Sequence, residues 1–66
     1  MRIFLNGEER ELPSPQTVST LLQATGHADK RIAVEVNLEI IPRGRHDGHA
    51  LADGDRVELI QAIGGG

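Results

Sequence analysis

The stretch RVELIQAI, residues 56–63, decides the fold that the sequence predicts. Val57 and Leu59 alternate with charged residues, which is the period-two pattern of a strand with one buried face. A second apolar strand is predicted from Arg2 to Asn6, and these two are the most apolar strands of the chain. We therefore expect them to lie side by side at the centre of one sheet.

Turn residues predict how the first strand continues. Asn6-Gly7 indicates a tight hairpin, because a type I′ turn needs positive φ at both of its central residues. The return strand is expected from Glu8 to Leu12. Pro13 and Pro15 then end the pairing, since neither has a backbone N–H to donate.

One amphipathic helix is predicted between Thr17 and Gly26. Its apolar face follows the i, i+3, i+4, i+7 spacing through Val18, Leu21, Leu22 and Thr25. Thr17 or Ser14 can serve as the N-cap, and Gly26 supplies the stop. At about two turns the helix is too short to be stable alone, so we expect it to pack on the sheet.

The segment after the helix is predicted to add two strands and a loop. Ile32 to Asn37 alternates as a strand, and Glu39 to Ile41 forms a shorter one. Residues 43–50 read as a solvated polar loop, from which Leu51 inserts as an apolar plug before an Asp53-Gly54 turn. The order of elements predicts one α+β domain over residues 1–63, with a mixed sheet of four to five strands and one helix on one face.

Composition excludes several classes of function. Ten acidic residues oppose seven basic ones, for a net charge of −3, and Phe4 is the only aromatic residue, so we expect no nucleic-acid partner. The chain has no cysteine for disulfides or thiolate metal sites. No apolar run reaches membrane-spanning length and no signal-peptide pattern is present, so we expect no membrane partner and a cytoplasmic location.

The polar loop residues give only a weak indication of a metal-binding site. His46 and His49, with Asp47 between them and His27 elsewhere, are too loosely spaced for a metal centre and read as a solvated loop. Asp53-Gly54-Asp55 lacks the later acidic positions of a calcium loop and is predicted to be a turn.

Arg43 and Arg45 read as exposed loop charges, with the steering of an acidic partner or of ATP phosphate as the alternative. No nucleophile–base pair is visible, so we expect no catalytic residue in this chain.

The glycines Gly64, Gly65 and Gly66 are expected to project beyond the sheet as a flexible tail. Three extended residues reach about 10 Å, and without Cβ atoms they fit a channel too narrow for other residues. The carboxylate of Gly66 can become an electrophile when condensation with ATP gives an acyl-adenylate. From the residues alone, a carrier tail and an inert flexible end both remain open.

Four stretches resemble the ThiS family of ubiquitin-like sulfur carriers of thiazole biosynthesis. They are the Asn6-Gly7 hairpin, QTVSTLL (16–22), VEVNLEIIPR (34–43) and LADGDRVELIQAIGGG (51–66). The resemblance implies a β-grasp fold and a chain that binds no cofactor. Many members of the family carry a tryptophan where His46 stands.

The resemblance also implies a sulfur-transfer cycle. A ThiF-like adenylyltransferase using Mg-ATP would adenylate Gly66, and persulfide sulfur from a cysteine desulfurase would convert it to a thiocarboxylate. A ThiG-like thiazole synthase would then take that sulfur. The alternatives are a MoaD-like carrier for molybdopterin synthesis and a ubiquitin-like interaction module with an inert tail.

Strand parity predicts where such partners bind. If Ile3, Leu5, Val57 and Leu59 face the helix, the intervening apolar residues form an exposed cluster on the opposite face, next to the tail. The predicted partner-binding residues are Phe4, Ile60, Ala62 and Ile63.

Overall fold

The computed structural model describes residues 1–61 of the 66-residue chain. Within that range it contains five strands, one α-helix and one turn of 3₁₀ helix. The elements are β1 (Arg2–Leu5), β2 (Glu8–Glu11), α1 (Val18–Ala24), β3 (Ile32–Val36), β4 (Glu39–Ile41), a 3₁₀ helix (Arg43–Arg45) and β5 (Arg56–Gln61). The predicted continuation of the last strand through Ala62 and Ile63 lies outside the described residues.

The strands form one mixed sheet in the order β2-β1-β5-β3-β4. β1 and β5 are parallel, with Phe4 opposite Arg56 and Leu5 opposite Val57, and every other pair in the described sheet is antiparallel. The prediction that the first and last strands are central neighbours is therefore confirmed. The arrangement is the expected α+β, β-grasp architecture.

The core lies between one face of the sheet and helix α1. Its buried apolar residues are Ile3, Leu5, Val18, Leu21, Leu22, Val34, Val36, Ile41, Leu51 and Val57, and half-buried Leu59 packs against them. Each fully buried Val, Leu or Ile side chain contributes about 1.5–3 kcal/mol relative to an exposed one. The predicted strand parity, the helix face and the Leu51 plug are confirmed.

Local hydrogen bonds set both ends of helix α1. Thr17, not Ser14, is the N-cap: its Oγ1 accepts from the N–H of Thr20 at 3.1 Å, and Thr20 Oγ1 accepts from the N–H of Thr17 at 2.7 Å. At the other end Gly26 has a φ of +78°, and the N–H of His27 donates to the carbonyl of Leu22 at 2.7 Å. Threonine and glycine therefore bound the helix as predicted.

The segment 43–50 differs from the solvated loop that was predicted. It begins with a 3₁₀ turn, and its carbonyls at His46 and His49 accept from the N–H groups of Ser19 and Val18 at 3.1 Å each. His46 is only 7% exposed, and its Nε2–H donates to the carbonyl of Ile41 at 3.1 Å. The prediction that His46 is solvated is wrong. The loop lies close to helix α1 because its carbonyls accept hydrogen bonds from the first-turn amides of the helix.

Candidate functional site

Strand β5 is the last described element before the predicted tail in the sequence. β1 pairs with it only at Arg56 and Val57, while β3 continues to pair as far as Ile32 opposite Gln61, the last described residue. The part of β5 beyond β1 is therefore held mainly by β3. We call the region around Gln61 the tail end of the sheet.

An open cleft of about 540 Å³ lies at the tail end of the sheet. Its apolar lining includes Ile32, Ile40, Pro42 and Ile60, and Arg31 and Arg43 supply positive charge. Ile60 is 49% exposed and lies opposite Ala33 on the face of the sheet away from the helix, which we call the outer face. Ile60, one residue before the last described residue, thus lies on a surface that combines exposed apolar groups with arginines.

Phe4 lies on the outer face as predicted, but it is not beside Ile60. It is half-buried and opposite Arg56, four residues before Ile60 along β5. At about 3.3 Å per residue the two side chains are separated by about 13 Å. The structure therefore places Phe4 and Ile60 on one face without joining them into one cluster, and their role in binding partners stays a prediction.

The predicted carrier residue Gly66 and the tail residues Gly64 and Gly65 lie outside the described residues. So do the predicted partner-binding residues Ala62 and Ile63.

The loop residues considered for a metal site have structural contacts instead. Asp47 accepts a hydrogen bond from the hydroxyl of Ser19, and Nδ1 of His27 lies 2.8 Å from Oγ1 of Thr25. Among residues 1–61 no group of three or more His, Asp or Glu side chains is arranged to hold a metal ion.

The two loop arginines occupy different places. Arg43 lines the cleft at the tail end of the sheet, whereas Arg45 lies with His49 at a separate recess in the loop.

The predicted Asp53-Gly54-Asp55 turn is confirmed, and its carboxylates bind backbone and amide groups. Asp53 Oδ1 accepts from the N–H of Arg2 at 2.7 Å. Asp55 Oδ2 accepts from the N–H of Ala52 at 2.8 Å, and its Oδ1 accepts from the side-chain amide of Asn37 at 3.0 Å. The turn therefore connects β1, β5 and the end of β3.

Two exposed apolar residues of the outer face were not predicted from the sequence. Leu38 is 91% exposed in the turn between β3 and β4, and Ile40 is 67% exposed on β4. The sequence signal that could have located this turn is Asn37 between two alternating segments, since asparagine tolerates positive φ. No helix among residues 1–61 is long and apolar enough to cross a membrane.

Comparison with known proteins gives consistent similarities. The model of the ThiS family matches residues 3–66. Over all of its 66 residues the chain is 42% identical to a thiazole synthase of Paramagnetospirillum magneticum, and it spans only 20% of that protein's length. It is 33% identical to the sulfur carrier protein ThiS of Escherichia coli, with 100% of both chains covered.

A solved structure shows the same similarity in three dimensions. The crystal structure of a thiamine biosynthesis protein, ThiS, from Geobacter metallireducens matches with a TM-score of 0.86 at 32% identity, and 100% of both chains is covered.

Proposed function

The chain belongs to the ThiS family, and on that premise we propose that it is a sulfur carrier of thiamine biosynthesis that holds sulfur as a thiocarboxylate on Gly66. The support is its full-length similarity to the sulfur carrier protein of E. coli, together with three consecutive glycines at positions 64–66 of the sequence. The single observation that carries the proposal is the family match, which extends through residue 66.

The proposed chemistry begins with the carboxylate of Gly66 attacking the α-phosphorus of ATP, so that pyrophosphate leaves and an acyl-adenylate forms. Terminal sulfur of a cysteine-desulfurase persulfide then attacks the acyl carbon and AMP leaves. A thiol cleaves the resulting S–S bond and forms a disulfide, which leaves the thiocarboxylate for thiazole synthase. ATP and Mg²⁺ belong to a ThiF-like adenylyltransferase in the cytoplasm, and this chain binds no cofactor of its own.

The fold supports this role because the strand that precedes the glycines is well anchored in the sheet over its described residues. β5 is central, its residue Val57 is 1% exposed, and pairing with β3 reaches Gln61. Three extended glycines add about 10 Å of reach without side chains that would block a narrow channel. The proposal assigns delivery to this chain and catalysis to its partners.

ATP–pyrophosphate exchange tests the proposal. Full-length protein and a variant lacking Gly65-Gly66 are each presented to a thiamine-pathway and a molybdopterin-pathway activating enzyme. We expect exchange with the thiamine enzyme only, and none after truncation. Exchange with the molybdopterin enzyme alone favours the MoaD-like alternative, and silence with both enzymes favours the inert-tail module.

A mass measurement on protein taken from cells tests the carrier atom itself. Replacing one carboxylate oxygen by sulfur adds about 16 Da, which oxidation of Met1 would imitate. The shift must therefore be localised to a peptide ending at Gly66. A Gly66 that is always followed by further residues has no free carboxylate and would contradict the proposal.

A further inference from the structure

The outer face contains an exposed leucine in a disfavoured backbone conformation. Leu38 has a φ of +71° and is 91% exposed. Left-handed backbone is unfavourable for branched residues, and Gly, Asn or Asp adopt it more readily. The Leu38 side chain therefore remains exposed within the described chain, while its backbone adopts a strained conformation. The stability of the fold does not explain why a leucine stands at this position.

Two carboxylates next to this leucine are also unfavourable for folding. Glu35 on β3 lies directly opposite Glu58 on β5, and like charges in that position repel. Among residues 1–61 the one ion pair joins Arg2 to Glu9 at 4.0 Å, on the other half of the sheet. Glu35 and Glu58 therefore have no ion-pair partner within that range.

Apolar groups surround these carboxylates. Ile40, 67% exposed, lies opposite Glu35, and Ile60 follows Glu58 by two residues on the same face. Leu38 and Glu58 share a shallow recess of about 290 Å³ with Asn37 and Arg56. We call this group the outer patch, and its residues are Glu35, Leu38, Ile40, Glu58 and Ile60.

We propose that the outer patch docks the carrier onto thiazole synthase, on a surface that presents a lysine or arginine among apolar side chains. This inference rests on the proposed function. The paired carboxylates favour a cation from the partner, because in the described part of the protein Arg56, which lines the same recess as Glu58, forms an ion pair with neither of them. The flanking apolar groups would shield that contact from water. A second copy of this chain is disfavoured as the occupant, because a symmetric contact would place carboxylates against carboxylates.

The choice of thiazole synthase follows from position and similarity. Ile60 immediately precedes Gln61, so a partner on the outer patch also receives the residues that lead to Gly66. In P. magneticum, a region similar to this whole chain makes up a fifth of a thiazole synthase. A carrier-like region and the enzyme therefore occur together in one polypeptide.

Calorimetric titration of full-length variants with thiazole synthase tests the docking. We expect Leu38→Asn to weaken Kd about tenfold, as loss of a buried apolar anchor in an interface does. Glu58→Gln should weaken Kd about threefold and reduce its dependence on salt. Glu9→Gln, a matched charge removal on the other half of the sheet, should change Kd less than about twofold.

Two controls separate docking from folding and from carrier chemistry. Leu38→Asn should melt at or above the wild-type temperature, because asparagine suits the turn, so weaker binding will not reflect unfolding. Unchanged Kd in Leu38→Asn and Glu58→Gln, or a loss of affinity only for the adenylyltransferase, would overturn the docking proposal. In either case wild-type Gly66 still gains its thiocarboxylate, whereas failure of that loading is what would defeat the proposed function.

Discussion

The two hairpins of the sheet use the same kind of turn but differ at its second residue. The β1–β2 turn has Asn6 at φ +50° and Gly7 at +83°, and the β3–β4 turn has Asn37 at +52° and Leu38 at +71°. Asparagine at the first position tolerates left-handed backbone in both turns. The turns differ at the second position, where Gly7 suits the left-handed backbone and Leu38 adds an exposed apolar side chain at a cost in strain.

The two asparagines also share a tertiary role, because both bind β5. Asn6 donates its N–H to the carbonyl of Val57 at 2.8 Å, and its Oδ1 accepts from the N–H of Leu59 at 2.8 Å. Asn37 makes both of the corresponding bonds to Arg56: its N–H donates to the carbonyl of Arg56 at 2.8 Å, and its Oδ1 accepts from the N–H of Arg56 at 3.0 Å. The comparison teaches that each turn attaches its hairpin to the central strand as well as reversing the chain.

Replacing the asparagines gives the largest expected effects. Asn37→Ala removes the side-chain bonds to Arg56 and Asp55 and places alanine at positive φ, so we expect a loss of about 2–3 kcal/mol in the free energy of unfolding. Asn6→Ala removes one such bond, to Leu59, and should cost about 1–2 kcal/mol. Urea denaturation measures both, and an equal or larger cost at Asn6 would mean that the Asp55 contact contributes nothing.

Glycine variants divide these costs into their parts. Asn37→Gly and Asn6→Gly lose the same hydrogen bonds but keep a residue suited to positive φ. Each should therefore be about 1 kcal/mol more stable than the corresponding alanine variant.

Transferring leucine to the first turn is the next largest perturbation. A Cβ added at Gly7 meets no atom within 4 Å, so the cost of Gly7→Leu is conformational and not steric. We expect a loss of about 1 kcal/mol, since the strain at φ +83° exceeds the stabilisation that comes from the lower entropy of the unfolded chain without this glycine. Thermal unfolding measures it, and an unchanged melting temperature would mean that the second turn position carries no strain.

The reciprocal change, Leu38→Gly, should raise stability slightly. Relief of strain at φ +71° outweighs the added freedom of glycine in the unfolded chain by about 0.5 kcal/mol. For a domain of this size that is a rise of about 2–4 °C in melting temperature. A fall in melting temperature would show that Leu38 stabilises the isolated fold and would remove one reason to assign it a binding role.

Elements bounded by local chemistry could be predicted from the sequence. Thr17, Gly26 and Asn6-Gly7 act through their own conformational preferences and through short-range hydrogen bonds, and alternation placed Val57 in the core. Leu38 gave no turn signal, because leucine has no preference for positive φ, and its turn was recognised only in the structure.

The candidate site was less predictable because it depends on tertiary register. Placing Phe4 with Ile60 required knowing that Phe4 lies opposite Arg56, which alternation along one strand cannot reveal. The burial of His46 likewise depends on contact between the loop and the helix. The proposed role of Gly66 comes from the family resemblance, since a run of glycines has no distinctive chemistry of its own.

The smallest expected effect concerns the outer-face carboxylates rather than the turns. Glu58→Gln removes repulsion from Glu35, which lies opposite it, and should stabilise the chain by about 0.3 kcal/mol at low salt. The gain is small because both groups remain in contact with water. The gain should disappear near 1 M salt, where the screening length falls to about 3 Å. Urea denaturation at both salt concentrations measures the difference. A gain that persists at high salt would arise from side-chain packing. Charge repulsion would then destabilise the β5–β3 half of the outer face no more than the β1–β2 half.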